Sequence, residues 1–308
     1  MATLFTQADV STPSVGVEHQ ASIDGDPMSM SVTIRQDPLS VTLDGPAIFG
    51  LSLSLILVIH LLQPRVAVLL ISLATAALFI HNDFRNYLKL GPGGTPPTFT
   101  GYLKINWLKL WALRNPFDPL PADPDVQPSA GVLHRKPLPY RCGARPTVVG
   151  IAPQRQVDQL GSPECYLALR RILEKHGETN HDEIGLGTSC FEKHGLGIFA
   201  RYPFNNTCQG EICHVHGSDH SMQVIADSNL LDDLSLHPDD VKEVLEKGWG
   251  QRHPLTSQGL LKMPVPKQFT MVYAPRTMDE LRVVCQIIEA AGYWVIGKEM
   301  RLDLEGEL

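Results

Sequence analysis

Two apolar runs near the start of the chain, "PAIFGLSLSLILVIHLLQ" and "VAVLLISLATAALFI", constrain its fold more than anything that follows. Only Pro64 and Arg65 part them. A helix needs roughly 20 apolar residues to cross the hydrocarbon of a bilayer, and each run falls a little short alone. Two arrangements fit: a tight helical hairpin turning at Gln63-Pro64-Arg65, or one crossing helix with an interfacial or kinked partner. A buried helix pair in a soluble protein is the plain alternative, and the adjacency of two such runs weighs against it. Arg85, Lys89, Lys104, Lys109 and Arg114 follow the runs, and positive charge favours the cytosolic side. Residues 46–80 are therefore read as transmembrane, with the lipid bilayer as partner. The location this gives is a membrane of the endomembrane system with the C-terminal domain in the cytosol.

The flanks differ in character. Residues 1–45 carry Asp9, Glu18, Asp24, Asp26, Asp37 and Asp44 against Arg35, with no apolar period; such a segment reads as a disordered acidic tail. No basic stretch opens the chain, so a cleaved signal peptide is not expected. Residues 81–140 read as a juxtamembrane region. "GPGGTPPTFTG" breaks the chain, Tyr102, Trp107 and Trp111 alternate with Lys104 and Lys109 as in a helix lying among headgroups, and a Pro- and Asp-rich linker follows.

From 141 to 308 the pattern is that of a folded domain, and the 43% of hydrophobic residues in the chain suffices for a real core. Ser162, Pro163 and Gly177 bracket one helix. "HPDDVKEVLEKG" reads as a second, and "TMDELRVVCQIIEAAG" as a third with Thr277 and Glu280 as its capping box. "GIFARYPF", "EICHVHG", "SMQVIA", "QFTMVYAPR" and "YWVIG" read as strands. Interspersed without regular βαβ units, these predict an α+β fold: a mixed, largely antiparallel sheet with a few packed helices. A net charge of −7 argues against a nucleic-acid partner. The six cysteines show no metal-type spacing and read as reduced thiols; an Asn-x-Thr sequon at Asn205 is the counter-argument.

The chemistry-bearing residues fall in four stretches. In "HVHGSDH", His214 and His216 share a face if they lie on a strand, with Asp219 close behind. That suits a metal ion, a proton shuttle or a polar cluster under a loop. In "TSCFEKHG", Glu192 and His194 would share a strand face, where a carboxylate fixes an imidazole tautomer; an ordinary surface pair is the plain alternative. In "KGWGQRHPL", two glycines allow two bends, and Pro254 restricts His253. Trp249, Arg252 and His253 then make a pocket wall for an aromatic anion, or else the tryptophan simply plugs the core. "YAPR" offers Tyr273 and Arg276 at a second corner. No P-loop, dinucleotide fingerprint, nucleophile elbow or zincin motif is present.

"VKEVLEKGWGQRHPL" followed by "VYAPR", together with "DFRNYLKLGP…FTGYL", "RPTVVGIAPQRQVDQL", "TSCFEKHG" and "EICHVH" in the same order, resembles the fungal luciferase family over roughly residues 66–296. The resemblance implies a membrane-attached enzyme with no organic cofactor. It adds O2 to a styryl-pyrone, 3-hydroxyhispidin, and the cyclic peroxide formed loses CO2 to leave an emitting product. On that footing the chain is a cofactor-independent oxygenase, with O2 as co-substrate, no metal and a polyketide-like or phenolic small molecule as substrate. His214, His216 or His253 would be the base, Arg252 and Arg276 the support for negative charge, and Trp249 and Tyr273 the stacking surface. Three departures stand out: Gln223 where relatives often carry a histidine, a longer passage at "IADSNLLDDLSLHP", and the extra apolar run before Pro64. The first removes a proton carrier and sets light emission apart from fold. A non-catalytic, membrane-tethered binding protein and a metal enzyme using His214, His216 and a third ligand are the alternatives.

Overall fold

The computed structural model describes residues 45–62, 65–119, 130–203, 207–225, 236–256, 265–266 and 268–304. The acidic tail and Asn205 lie outside the described residues. In chain order the helices are α1 (Gly45–Leu62), α2 (Arg65–Lys89), α3 (Phe99–Lys109), α4 (Pro163–Thr179), α5 (Pro238–Glu246) and α6 (Met278–Ile296). The strands are β1 (Val148–Gly150), β2 (Gln154–Gln156), β3 (Ile184–Thr188), β4 (Leu196–Ala200), β5 (Glu211–Val215), β6 (Met222–Val224), β7 (Gly250–Arg252) and β8 (Thr270–Val272).

The two apolar runs form the pair α1 and α2, in contact through the Thr75 hydroxyl donating to Ser52 at 3.1 Å. Their large side chains stay exposed: Leu61 is 75% and Phe49 67% accessible, and Leu69, Leu73 and Leu78 follow suit. A water-soluble helix pair buries one stripe on a core, and this pair buries none. Among the described residues only α2 is long and apolar enough to cross a membrane; α1 is shorter.

The C-terminal end of α2 does meet protein. Tyr87 donates to the Pro96 carbonyl (2.8 Å), and Tyr102 on α3 donates to Asp83 (2.8 Å). Phe84, Tyr87 and Tyr102 pack ring against ring, and with Ile105, Ile151 and Leu255 they form a small second core. The helix read as lying among headgroups thus turns one side into the protein, while Trp107 and Trp111 remain outside.

The domain is a six-stranded sheet ordered β3-β4-β5-β6-β8-β7, antiparallel at every pairing, beside a β1–β2 hairpin. Side chains alternate faces along each strand. Cys213, Val215, Met222, Val224 and Val272 point to one side and join α4, α5 and α6 in the main core. Leu133 and Leu138, from the stretch read as linker, belong to that core too.

The helix caps follow the sequence. Ser162 accepts from the Cys165 N–H (3.0 Å) and Thr277 from the Glu280 N–H (3.2 Å). Two expectations are corrected. "YWVIG" is not a strand: α6 runs on to Ile296, because Ala291, Trp294 and Val295 prolong the buried stripe of Ile287 and Ile288, and Gly297 (φ 81°) ends the helix. The interruption expected at Gly292 is filled by Met300, whose sulfur would meet any added Cβ. The thiols are not all free either. Cys190 and Cys208 form a disulfide (Cα–Cα 6.0 Å).

Asp240 fastens the linker to the helical layer. Fully buried, it accepts from the N–H groups of Val132 (3.1 Å) and Leu133 (2.7 Å) and from the Trp294 indole (2.7 Å). Asp240→Ala strands three buried donors at about 1–3 kcal/mol each. We expect it to lower unfolding stability by at least about 3 kcal/mol, and Asp240→Asn, which keeps one acceptor, by less; urea titration of both variants measures the difference.

Candidate active site

The face of the sheet turned away from the helices carries a cross-strand row in which His214 on β5 pairs with Gln223 on β6 and Gln223 with Met271 on β8. His216, two residues past His214, keeps the same face as the strand period requires, and the two rings stand 5.2 Å apart. Over this face lie the β1–β2 hairpin, Phe191, Phe269 and α3, and between them is a cavity of about 230 Å³. Its apolar lining includes Ile105, Leu108, Leu255 and Phe269; its polar lining includes Gln154, Glu192 and Gln223.

Behind the polar wall every group is buried and backed by another. The His214 Nδ1 meets Glu211 Oε1 at 2.8 Å, and the other Glu211 oxygen accepts from the Cys190 N–H at 2.9 Å. The His216 Nδ1 meets the Ser221 hydroxyl at 2.8 Å, and that hydroxyl donates to Asp219 at 2.9 Å. Ser221 having spent its proton on Asp219, His216 must be the donor at Nδ1. Its Nε2 therefore carries a lone pair, and among the described residues no donor reaches it. Burial holds the His216 pKa below its ordinary value despite Asp219. Burial would raise the Asp219 carboxyl, but its bond and charge contact with His216, the Gln156 N–H and the Arg155 charge together hold it low. Glu192 pairs with the buried guanidinium of Arg155. One acceptor atom each from Glu192, His214 and His216 lies within 4.8 Å of the others.

Asp219 thus sits behind His216 rather than against a ligand. Glu192 and His194 do not share a strand face: they occupy a turn, with Glu192 buried and His194 exposed. The reason is that Glu192 is drawn inward by Arg155 and by a bond from its N–H to the Ser189 hydroxyl (3.0 Å).

"KGWGQRH" resolves as scaffolding. Gly248 (φ 82°) reverses the chain after α5, and Gly250 lets β7 lie against β8, where a Cβ would approach the Met271 carbonyl to 2.4 Å. Trp249, 3% exposed, joins the main core and donates to the Pro139 carbonyl (2.6 Å), so it plugs the core. The guanidinium of Arg252 is buried against the carbonyls of Asp118 and Thr256, both at 3.2 Å. Tyr273 is fully buried, its hydroxyl donating to Gln251 (3.1 Å). Arg276 grips Glu280 and the Cys142 carbonyl. None of these four lines the cavity. His253 does, but both its nitrogens are committed to backbone: Nε2 donates to the Ile151 carbonyl (2.8 Å) and Nδ1 accepts from the Leu255 N–H (3.1 Å). A ring so held is a poor base. The sequence reading missed Gln154, Arg155, Glu211 and Ser221; only the spacing of Glu211 to His214 hinted at one of them.

The family model described as "Luciferase domain" matches residues 209–291, from the start of β5 into α6. A luciferase of Neonothopanus nambi is 34% identical over 249 residues, 72% of this chain and 84% of that protein. Luciferases of Armillaria mellea and Armillaria ostoyae are each 32% identical, covering 70% and 71% of this chain and 81% and 83% of their own. No solved structure gives a significant match.

Burial lowers the His253 pKa to about 3 from 6.5; the Ile151 bond opposes the shift and the nearby His214 and His216 add to it. The neutral ring therefore contributes its full stability above pH 6.5, and that contribution drains away as pH falls toward 3. The slope can reach about 1.4 kcal/mol per pH unit. In His253→Gln this component is missing. The variant should be less stable than the parent at pH 7.5, and thermal melts should show the gap closing toward pH 4.

Proposed function

Because the chain belongs to the fungal luciferase family, we propose that it is a membrane-anchored oxygenase that adds O2 to an enolic pyrone or a related phenolic small molecule. The observation that carries this reading is the cavity, which sets an apolar roof against a wall holding Glu192, Gln154 and Gln223. A flat enolic ring fits with one face on Phe191 and Phe269 and its oxygens toward the polar wall. The enol must lose its proton before O2 can take an electron from it. Glu192 lines the wall and is the carboxylate placed to take that proton. One O2 enters and one CO2 leaves as the cyclic peroxide opens, so no external reductant and no organic cofactor is required.

Membrane attachment rests on the exposed apolar surface of α1 and α2. Because α3 both packs on α2 and lines the cavity, an amphipathic substrate dissolved in the bilayer surface would reach the site without crossing bulk water.

The test is oxygen uptake by detergent-solubilised protein given 3-hydroxyhispidin, with photon counting in the same cuvette. Uptake should fall about 10²–10⁴-fold in Glu192→Gln, the usual effect of losing a positioned proton-transfer group. It should change far less in Arg276→Gln, since Arg276 lies off the cavity and bonds Glu280 and the Cys142 carbonyl rather than a lining group. Binding of the pyrone without uptake would instead support a non-catalytic binding protein.

A further inference from the structure

We propose that Glu192, His214 and His216 together hold one divalent first-row transition-metal ion at the wall of the cavity. The inference goes beyond the oxygenase reading and rests on it only for what the ion would be used for.

Geometry comes first. Three donor atoms on three buried side chains lie within 4.8 Å of one another. Ligands about 2.1 Å from a shared ion stand about 3.0–3.4 Å apart, so small side-chain adjustments close the set. The Nε2 of His216 is the stronger sign. It is a buried imidazole lone pair with the tautomer fixed from behind, and no donor reaches it among the described residues. Leaving such an atom unmatched costs roughly 1–3 kcal/mol, and coordination removes that cost.

Second come the groups behind the imidazoles. Histidines that bind metal nearly always donate their other ring N–H to a carboxylate, a carbonyl or a water. Here both do so through Nδ1: His214 to Glu211 directly, and His216 through Ser221 to Asp219. The two Nε2 atoms are thereby left as the ligating ones. Gln223 Oε1 lies 3.0 Å from the Nε2 of His214, and its amide reaches Gln154, whose own nitrogen has no acceptor among the described residues. A neutral His214 that donates to Glu211 has no second proton for that oxygen. Gln223 faces the cavity and can swing aside to admit an ion.

Third is charge. The buried ionic groups of the cluster are the carboxylates of Glu192, Glu211 and Asp219 and the guanidinium of Arg155. Fully ionised they leave two negative charges uncompensated in a dry interior, where charge is expensive. A dication cancels them. Arg155 engages one oxygen of Glu192, and the other remains for the ion. Two imidazoles and one carboxylate with no thiolate suit Fe(II), Mn(II), Co(II) or Zn(II). With open positions left, this ligand set is that of non-haem Fe(II) oxygenases.

Full-length protein in detergent would be stripped with a chelator and titrated with Co(II) alone, followed by its visible absorption and by elemental analysis. One ion per chain is expected, with a rise in Tm as metal binds the folded state. His216→Ala and Glu192→Gln should each lose stoichiometric binding. His220→Asn should retain it, since that imidazole is turned away to stack on Tyr166. Circular dichroism would establish that each variant is folded. No stoichiometric uptake of Co(II), Fe(II), Mn(II) or Zn(II) by folded protein would overturn the inference, as would binding that survives His216→Ala. Oxygen uptake that persists in metal-free protein would defeat the metal and leave the oxygenase reading standing. Metal bound at this cluster without oxygen uptake would do the reverse.

Discussion

The structure depends on a sheet that is covered on both faces yet apolar on only one. Val215, Met222 and Val272 are sealed by helices in the ordinary way. On the opposite face His214, Gln223 and His216 are equally dry, at 0%, 4% and 1% exposure. Polar groups so buried must find partners or destabilise the fold by kilocalories. The second face is therefore organised as chains of bonds, from Cys190 through Glu211 to His214, and from Gln156 through Asp219 and Ser221 to His216. Each chain ends in an imidazole nitrogen directed into the cluster with Glu192.

That requirement reaches the elements next to the apolar helices. Something has to cover the polar face, and α3 with the β1–β2 hairpin does so, held by Tyr87, Tyr102 and Ile105. The same aromatic contacts fix the end of α2. The C-terminal end of α2 and the cavity thus share a wall, and a change at Tyr102 would disturb both.

Elements with a strong local code were legible. The capped helix α4, the capped start of α6, and the pairing of the strands in "EICHVHG" and "SMQVIA" follow from local signals alone. The shared face of His214 and His216 follows from the strand period. Three-residue strands such as β1, β2 and β7 carry too few residues for any period to show. The partners of the site could not be read either. Arg155 meets Glu192 across 37 positions and Gln154 meets Gln223 across 69, distances along the chain that no local pattern spans. "KGWGQRH" misled for a physical reason: tight turns and buried aromatics look alike whether they frame a ligand or close a core, and here Trp249 closes the core.

The placement of cations then bears on the chemistry. On the proposed reading, an enolate in the cavity would put negative charge beside Glu192, and a dry site would need a positive partner for it. Arg252 is spent on the carbonyls of Asp118 and Thr256, Arg276 on Glu280, and Arg155 on Glu192 itself. Lys104 and Lys193 line the cavity but are exposed, and an ammonium in water is a weak counter-charge. The guanidiniums that sequence reasoning assigned to this task are thus in the wrong places. A dication between Glu192, His214 and His216 would supply the missing charge at the wall the enolate oxygens face. The demand of the chemistry and the demand of the buried carboxylates converge on one position.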